Sequence, residues 1–415
     1  MNPKLKKHFK STIIPKGFED ISSVLKEDYK ILLNELTNRD YVIEEFPDVP
    51  EKKKLSGNGA VLSYPIQGIL KYHGMTDWDN RIAYFPSISL NNAAAHTKTY
   101  VEYDSTLRKD IAIINGKEVQ GRDLERIEQS MNAIRDVVGS ETKAIIVSKN
   151  VISNPKAKGV GTSASGSAAL ALANIEAALG KEYSTNQRFS SVFSRYVAGS
   201  GCRSITGGIS LWLSYPGIES ANSFSVRIDK NKFDDIGLVT VMVPSRIGLK
   251  TEEAHKDAPN SEFFKEWLRI RKDKIISTLD AVDKSDWETI AQQAELDTIH
   301  LHGVTMSGQS GKERKIIAWE PETIQVMRKV NKLRERGIPV YYSIDTGPTP
   351  VLITQDKYLD EVYDGIVELG LKDDEGKYMD VLKSKIGGPA EILNPEETKE
   401  ELFTSNVKKI ISYKR

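Results

Sequence analysis

The sequence predicts an α+β fold, β-rich over its first half and helix-rich over its second, with mixed sheets. Three observations carry that prediction. Hydrophobic residues at 39% and charged residues at 28% match ordinary globular proteins. Short apolar runs punctuated by Gly74 and Asn115-Gly116 fill residues 60–116, as successive strands do. Apolar residues at helical spacing then recur over 262–303 and 321–337. At 415 residues the chain holds roughly two to three domains' worth of material, enough to bury a sizeable core.

Residues 1–60 are lysine-rich and polar, with one helical pattern over "ISSVLKEDYKILLNELTNRD". "FPDVPEKKKLSGNG" follows with prolines, glycines and a charge run, and reads as a linker. This segment is expected to be an extension packed on the main body. Strands are expected in "AVLSYPIQGILKYHG", "IAYFPSISLNNAAAHTKTYVEYD" and "KDIAIING". "GRDLERIEQSMNAIRDVVG" has a helical period and a closing glycine. "TKAIIVSKNVI" is a further strand. It leads into the loop "NPKAKGVGTSAS" and an alanine-rich helix ended by Gly180. After the helix-rich 262–303 come the helix "PETIQVMRKVNKLRERG" and the strand–turn–strand "IPVYYSIDTGPTPVLITQ". A boundary near residue 230 divides the chain into the extension 1–60, a first unit 61–230 and a second unit 231–415.

Lys+Arg and Asp+Glu both number 58, so no charge excess argues for nucleic acid or an anionic membrane surface. Cys202 stands alone, which removes intrachain disulfides and reads as a small buried residue. The start lacks the apolar core of a signal peptide, and no stretch approaches the roughly 20 apolar residues of a membrane span. A cytoplasmic location is expected. His300 and His302 are placed on a strand, facing opposite sides. No HExxH or Cys-x-x-Cys spacing occurs, and no metal site is expected.

Four motifs carry chemistry. In "NPKAKGVGTSAS" a strand, a glycine-rich turn and a helix start present unpaired N–H groups to an anion. Thr162, Ser163 and Ser165 add hydroxyls, but the Gly-Lys-Ser/Thr of a Walker A loop is missing. A purely structural turn fits this loop equally well. In "SRYVAGSGCRSITGGISLW" glycines surround Ser200 and Arg203, whose planar fork suits a carboxylate or phosphate. In "YYSIDTGPTPVLIT" Asp345 ends an apolar strand, where a carboxylate can cap its own turn or face a reaction centre. In "PIQGILKYHGM" Lys71 sits in an otherwise apolar strand, so its ammonium must reach an anion or water.

Together and in order, these pieces resemble the GHMP-kinase superfamily, in its mevalonate-pathway decarboxylase branch. The diphosphomevalonate decarboxylases carry Leu-Lys-Tyr-Trp-Gly-Lys, here "LKYHGM", and a Pro-x-x-x-Gly-Leu-Ala-Ser-Ser-Ala-Ser loop, here "PKAKGVGTSAS". Their Gly-Ser-Gly-Ser-Ala-Cys-Arg-Ser is here "VAGSGCRSITGG", and their Phe-Asp-Ala-Gly-Pro-Asn is here "SIDTGPTP". The likeness runs from about residue 60 to about 395. It implies a two-domain fold of mixed and antiparallel sheets covered by helices, with the active-site cleft between the domains. It implies Asp345 as the catalytic aspartate, Lys71 as the catalytic lysine and Arg203 as the arginine gripping the carboxylate. Arg126 falls where the family holds the C5 phosphate end. Ser200 matches a substrate-binding serine, and Tyr72, Ser163 and Ser165 join the substrate-binding set.

Two departures bear on the subtype. Met75 replaces the second lysine of the family's lysine segment, and Ala198 replaces a serine, as though C5 carried one phosphate. Lys156 and Lys158 stand in the nucleotide loop, where they would crowd ATP yet could serve a phosphate already on C3. That combination resembles the archaeal mevalonate 3,5-bisphosphate decarboxylases. The expectation is therefore conversion of the bisphosphate to isopentenyl phosphate, CO2 and phosphate in isoprenoid biosynthesis, with no ATP cofactor. The alternative is an ATP- and Mg-dependent diphosphomevalonate or phosphomevalonate decarboxylase. The expected partner is the phosphorylated mevalonate itself, with a homodimer as in many family members.

Overall fold

The computed structural model describes residues 4–247, 251–308 and 315–414. Its first sheet has six strands, in the order Glu391–Ile392, Asn58–Ser63, His96–Asp104, Lys143–Val151, Ile111–Ile114 and Lys117–Glu118. All neighbours are antiparallel except Ile111–Ile114 beside Lys143–Val151, so the sheet is mixed. The alanine-rich helix Thr162–Leu179 packs on one face of this sheet. A side chain at Gly57 or Gly59 would lie 2.2 Å from the carbonyl oxygen of Ala177 or 2.4 Å from that of Ala173. Small residues on both partners thus bring helix and strand into direct backbone contact.

The opposite face is apolar too, presenting Ala60, Tyr100, Ile111, Ile113, Ile145 and Val147. It is closed from the far end of the chain. Helices Pro395–Leu402 and Ser405–Lys414 lay Leu402, Phe403, Val407 and Ile411 on it, and Ile392 pairs with Val61. Sequence division at 230 assigned this segment to the second unit. The structure returns it to the first, because a two-faced apolar sheet needs cover on both sides.

A second sheet orders Ser225–Arg227, Ile209–Trp212, Ser87–Asn91 and Ile66–Leu70. A third orders Val340–Ile344, Pro350–Gln355, Ile236–Val241 and Val381–Lys385. Helices Pro321–Glu335 and Asp356–Val367 bury Val326, Val330, Leu333, Val362 and Ile366 against the third sheet. Helix Trp287–Ser307 packs on both Ile66–Leu70 and Val340–Ile344, bridging the second and third sheets. The ends of those two strands therefore meet beneath one helix.

The early helix spans Glu19–Asn38 and buries Leu25, Leu32 and Leu36 on the body. His300 and His302 differ from expectation: both lie on helix Trp287–Ser307, not on a strand. Ile290, Ala291, Ala294, Leu301 and Val304 are its buried apolar positions, at helical spacing. Two residues apart on a helix still means different faces, and His302 is buried while His300 is half-exposed. Among the described residues no helix is long and apolar enough to cross a membrane.

Candidate active site

Strand Ile66–Leu70 has a register shift between Gly68 and Leu70 and ends at Lys71, which is 2% exposed. The Lys71 ammonium donates to the Gly68 carbonyl at 2.7 Å and to Ser343 Oγ at 2.8 Å, and stands 3.8 Å from Asp345 Oδ1. Asp345 follows strand Val340–Ile344 and accepts from the Gly68 N–H at 3.2 Å. A side chain at Gly68 would lie 2.8 Å from Asp345 Oδ1 and 2.7 Å from Lys71 Cγ, so only glycine lets the pair form. Burial pushes the Asp345 carboxyl above its ordinary value, although Lys71 and Arg203 pull the other way. Burial likewise lowers Lys71, against Asp345 and Asp297. Both shifts have one cause, desolvation, nearly complete at Lys71 and partial at Asp345, whose side chain is 20% exposed.

A buried ion pair holds both main-chain groups of Lys71. Asp297 Oδ2 accepts from the Lys71 N–H at 2.6 Å and from Arg271 at 3.3 Å. Arg271 donates in turn to the Lys71 carbonyl at 3.1 Å, and Trp267 Nε1 donates to Asp297 Oδ1 at 2.9 Å. Asp297 and Arg271 thus hold the main chain of Lys71 in place.

Arg203, on helix Gly201–Thr206, is 1% exposed. It donates to Ser87 Oγ at 2.9 Å and lies over the rings of Tyr72 at 5.4 Å and Trp212 at 5.9 Å. Its Nε is buried and has no hydrogen-bond partner, an unsatisfied donor of the kind a carboxylate pairs with. Ser200 lies beside Tyr72, whose ring stacks on His255 at 4.8 Å. Arg126 and the buried Arg81 stand beside this group; Arg126 opposes Arg81's charge, though burial is the larger pressure on it. Cys202 is buried, its thiol pushed up to about 12 by desolvation, which leaves it no nucleophile. Among the described residues no three His, Cys, Asp or Glu side chains gather as metal ligands.

The glycine loop is built as a close-packed turn. Gly159 and Gly161 take left-handed φ values of 86° and 72°. A side chain at Gly161 would strike the Ile66 carbonyl oxygen at 2.4 Å, and one at Gly347 would strike the Gly159 nitrogen at 2.5 Å. The loop therefore rests directly against the turn that follows Asp345. Ser163 is exposed at the helix start, but Ser165 is buried and bonds Thr97 Oγ1 at 2.8 Å. Ser165 serves the helix–sheet contact instead of the loop, since on a helix its position turns inward. Lys156 also departs from the expected placement: its ammonium meets Glu375 at 2.5 Å in an exposed ion pair. Lys158 is exposed, with its main chain tied to Val243 and Thr349.

The geometry therefore joins Lys71, Tyr72, Ser200, Arg203 and Asp345, with Arg126 beside them, and leaves Ser165 and Lys156 outside. Ser343, Asp297, Arg271 and Arg81 were missed in the sequence. Ser343 had a signal, since it shares a strand face with Asp345.

Comparison with known proteins identifies the family. Residues 63–225 match the family described as diphosphomevalonate decarboxylase-like N-terminal domain. The phosphomevalonate decarboxylase of Haloferax volcanii is 34% identical over 81% of this chain and 97% of its own length. The mevalonate 3,5-bisphosphate decarboxylase of Thermoplasma acidophilum is 26% identical over 72% of this chain and 70% of its own. In fold, the chain resembles the crystal structure of mevalonate diphosphate decarboxylase from Staphylococcus aureus, with a TM-score of 0.73 over 81% of this chain and 98% of that one. The α+β architecture is that of the GHMP superfamily, and the chain belongs to its diphosphomevalonate decarboxylase-like family, as a decarboxylase of phosphorylated mevalonate.

Proposed function

We propose that the protein phosphorylates the C3 hydroxyl of mevalonate 5-phosphate with ATP and then decarboxylates it to isopentenyl phosphate. The observation that carries the ATP step is the outward ion pair of Lys156 with Glu375, which takes away a charge expected to crowd the nucleotide. The relative from Haloferax volcanii, a phosphomevalonate decarboxylase, supports the same substrate. Thr162 and Ser163, with the amides at their helix start, would receive the nucleotide's phosphates. Magnesium would arrive with those phosphates and shield their charge.

The residues fit the chemistry that follows. The C1–C2 bond breaks and its electron pair becomes the C2=C3 double bond, while the C3–O bond breaks and its pair leaves with the phosphate. C3 gains positive character as this happens, and the Asp345 carboxylate faces it in a dry site. Lys71 offsets negative charge on the departing phosphate. Arg203 grips the substrate carboxylate through its open Nε–H, aligning the bond to be broken.

A second reading, in which C3 arrives already phosphorylated and no nucleotide is used, is favoured by Lys158. Its ammonium is exposed beside the loop and has no ion pair among the described residues. Incubation of the protein with mevalonate 5-phosphate, ATP and magnesium separates the two, reading ADP, CO2 and isopentenyl phosphate. Stoichiometric ADP and CO2 are expected. Turnover of mevalonate 3,5-bisphosphate, with no ATP consumed on the 5-phosphate, would overturn the ATP-dependent reading.

A further inference from the structure

We propose that Arg81 is the residue that sets specificity at the phosphate end, clamping one C5 phosphate together with Arg126 where the lysine-bearing relatives accommodate two. The inference rests on the reading of mevalonate 5-phosphate as substrate and concerns how that end is selected. Arg81 is 7% exposed, yet among the described residues its guanidinium makes no hydrogen bond and no ion pair. Its guanidinium lies over the ring of Trp78, at 5.8 Å. Burying an unpaired cation is costly, so such a group is held ready for an anion.

The surrounding charges point the same way. Arg122 pairs with Glu252, and Lys256 meets the same carboxylate at 3.0 Å. One acid thus forms ion pairs with two cations, and it reaches Arg81 only through space, without a direct contact. Arg126 is half-buried, and its Nε also lacks a partner. Burial and the Arg126 charge both press on Arg81, a mutual repulsion that a bound phosphate would relieve.

The turn holding Arg81 is preorganised. Asp77 Oδ1 accepts from the N–H groups of Asp79 at 3.0 Å and Asn80 at 2.9 Å. Arg81 then takes a left-handed φ of 53°, a strained setting for a non-glycine residue. The neighbouring wall is filled: a side chain at Gly199 would lie 2.9 Å from Trp212 and 3.4 Å from the Met75 methyl. Met75 therefore contributes bulk where the family's second lysine would contribute charge, and Arg81 restores that charge from a different backbone position.

The test is equilibrium titration of the protein and of Arg81→Met and Arg81→Lys with mevalonate 5-phosphate, mevalonate 5-diphosphate and mevalonate 3,5-bisphosphate, beside steady-state kinetics. Losing one charge-assisted phosphate contact is expected to raise Kd and KM for the 5-phosphate by about 10- to 100-fold, with kcat changed less than about threefold. Arg81→Lys should recover part of the affinity, and its thermal melt reports folding should Arg81→Met misfold. Met75→Lys combined with Arg81→Met should shift preference toward the diphosphate. An unchanged Kd in Arg81→Met, with wild-type turnover of the 5-phosphate intact, overturns the inference and leaves the proposed function standing. Wild-type failure to turn over the 5-phosphate, with Kd for mevalonate 3,5-bisphosphate still raised in Arg81→Met, overturns the proposed function and leaves Arg81 as a phosphate ligand.

Discussion

Asp297→Asn tests how the reacting lysine is held. The carboxylate accepts from the Lys71 N–H at 2.6 Å, from Trp267 at 2.9 Å and from Arg271 at 3.3 Å. Asparagine keeps one acceptor oxygen, sets an NH2 group against donors, and strips the fully buried Arg271 of its counter-charge. Breaking such a pair from one side costs about 3–5 kcal/mol. With about 2.1 cal/mol/K of unfolding entropy per residue over 415 residues, that is a fall in Tm of about 3–6 °C, measured by calorimetry. The Lys71 main chain also loses its anchor, so its ammonium drifts relative to Asp345. A displacement near 1 Å would lower kcat by about 100-fold, with KM changed less than about threefold. The wild-type advantage is pH-dependent. Burial would raise Asp297, but Arg271, His300 and Lys71 outweigh it and hold the carboxyl at about 2. A depressed pKa stabilises the fold above the ordinary carboxylate range, so the advantage fades as pH falls from about 4 toward 2. A variant with kcat within about twofold of wild type and Tm within about 1 °C would refute the positioning role.

Asp345→Asn is expected to lower kcat by about 1,000-fold while Kd for the substrate stays within a few-fold, measured by single turnover and titration; an active variant removes Asp345 from the chemistry. The pH profile of kcat should have its acid limb above the ordinary carboxylate range, because burial raises Asp345, and its alkaline limb below the ordinary lysine range, because burial lowers Lys71. Limbs at ordinary carboxylate and lysine values would mean that neither group titrates in the rate-limiting step. Lys156→Ala removes only an exposed, solvent-screened ion pair, so kcat/KM should hold within about twofold; a tenfold rise in KM would show the ammonium reaching substrate.

Much of the site was legible because its residues break a local rule. Lys71 stands in an apolar strand, Asp345 ends another and Arg203 lies among glycines, each a polar group where packing alone wants none. Lys156 misled because proximity in sequence to a phosphate loop says nothing of which way a long flexible side chain turns. Its partner, Glu375, lies in a distant turn that the loop's own sequence does not reveal. Asp297 and Arg271 were hidden for a related reason. They act on the main chain of Lys71 from helices 200 and 226 positions along, a contact created only by tertiary packing. Arg81 sits in an ordinary polar turn, and only its burial without a partner sets it apart. The helix carrying His300 and His302 was misjudged from two residues, where the longer period of Ile290 to Val304 decides.

Because Phe403, Val407 and Ile411 cover the outer side of the first sheet, that sheet cannot be completed until those residues have been made. Its inner strands emerge from the ribosome early, with an oily surface awaiting a lid encoded some 250 positions later, a long interval at synthesis rates of about 5–20 residues per second. Until that lid is made the sheet presents apolar surface prone to aggregation, and a chaperone that shelters such surface has its natural place there. The same latch means that a nick anywhere near residue 390 would undo the half of the molecule that was folded first.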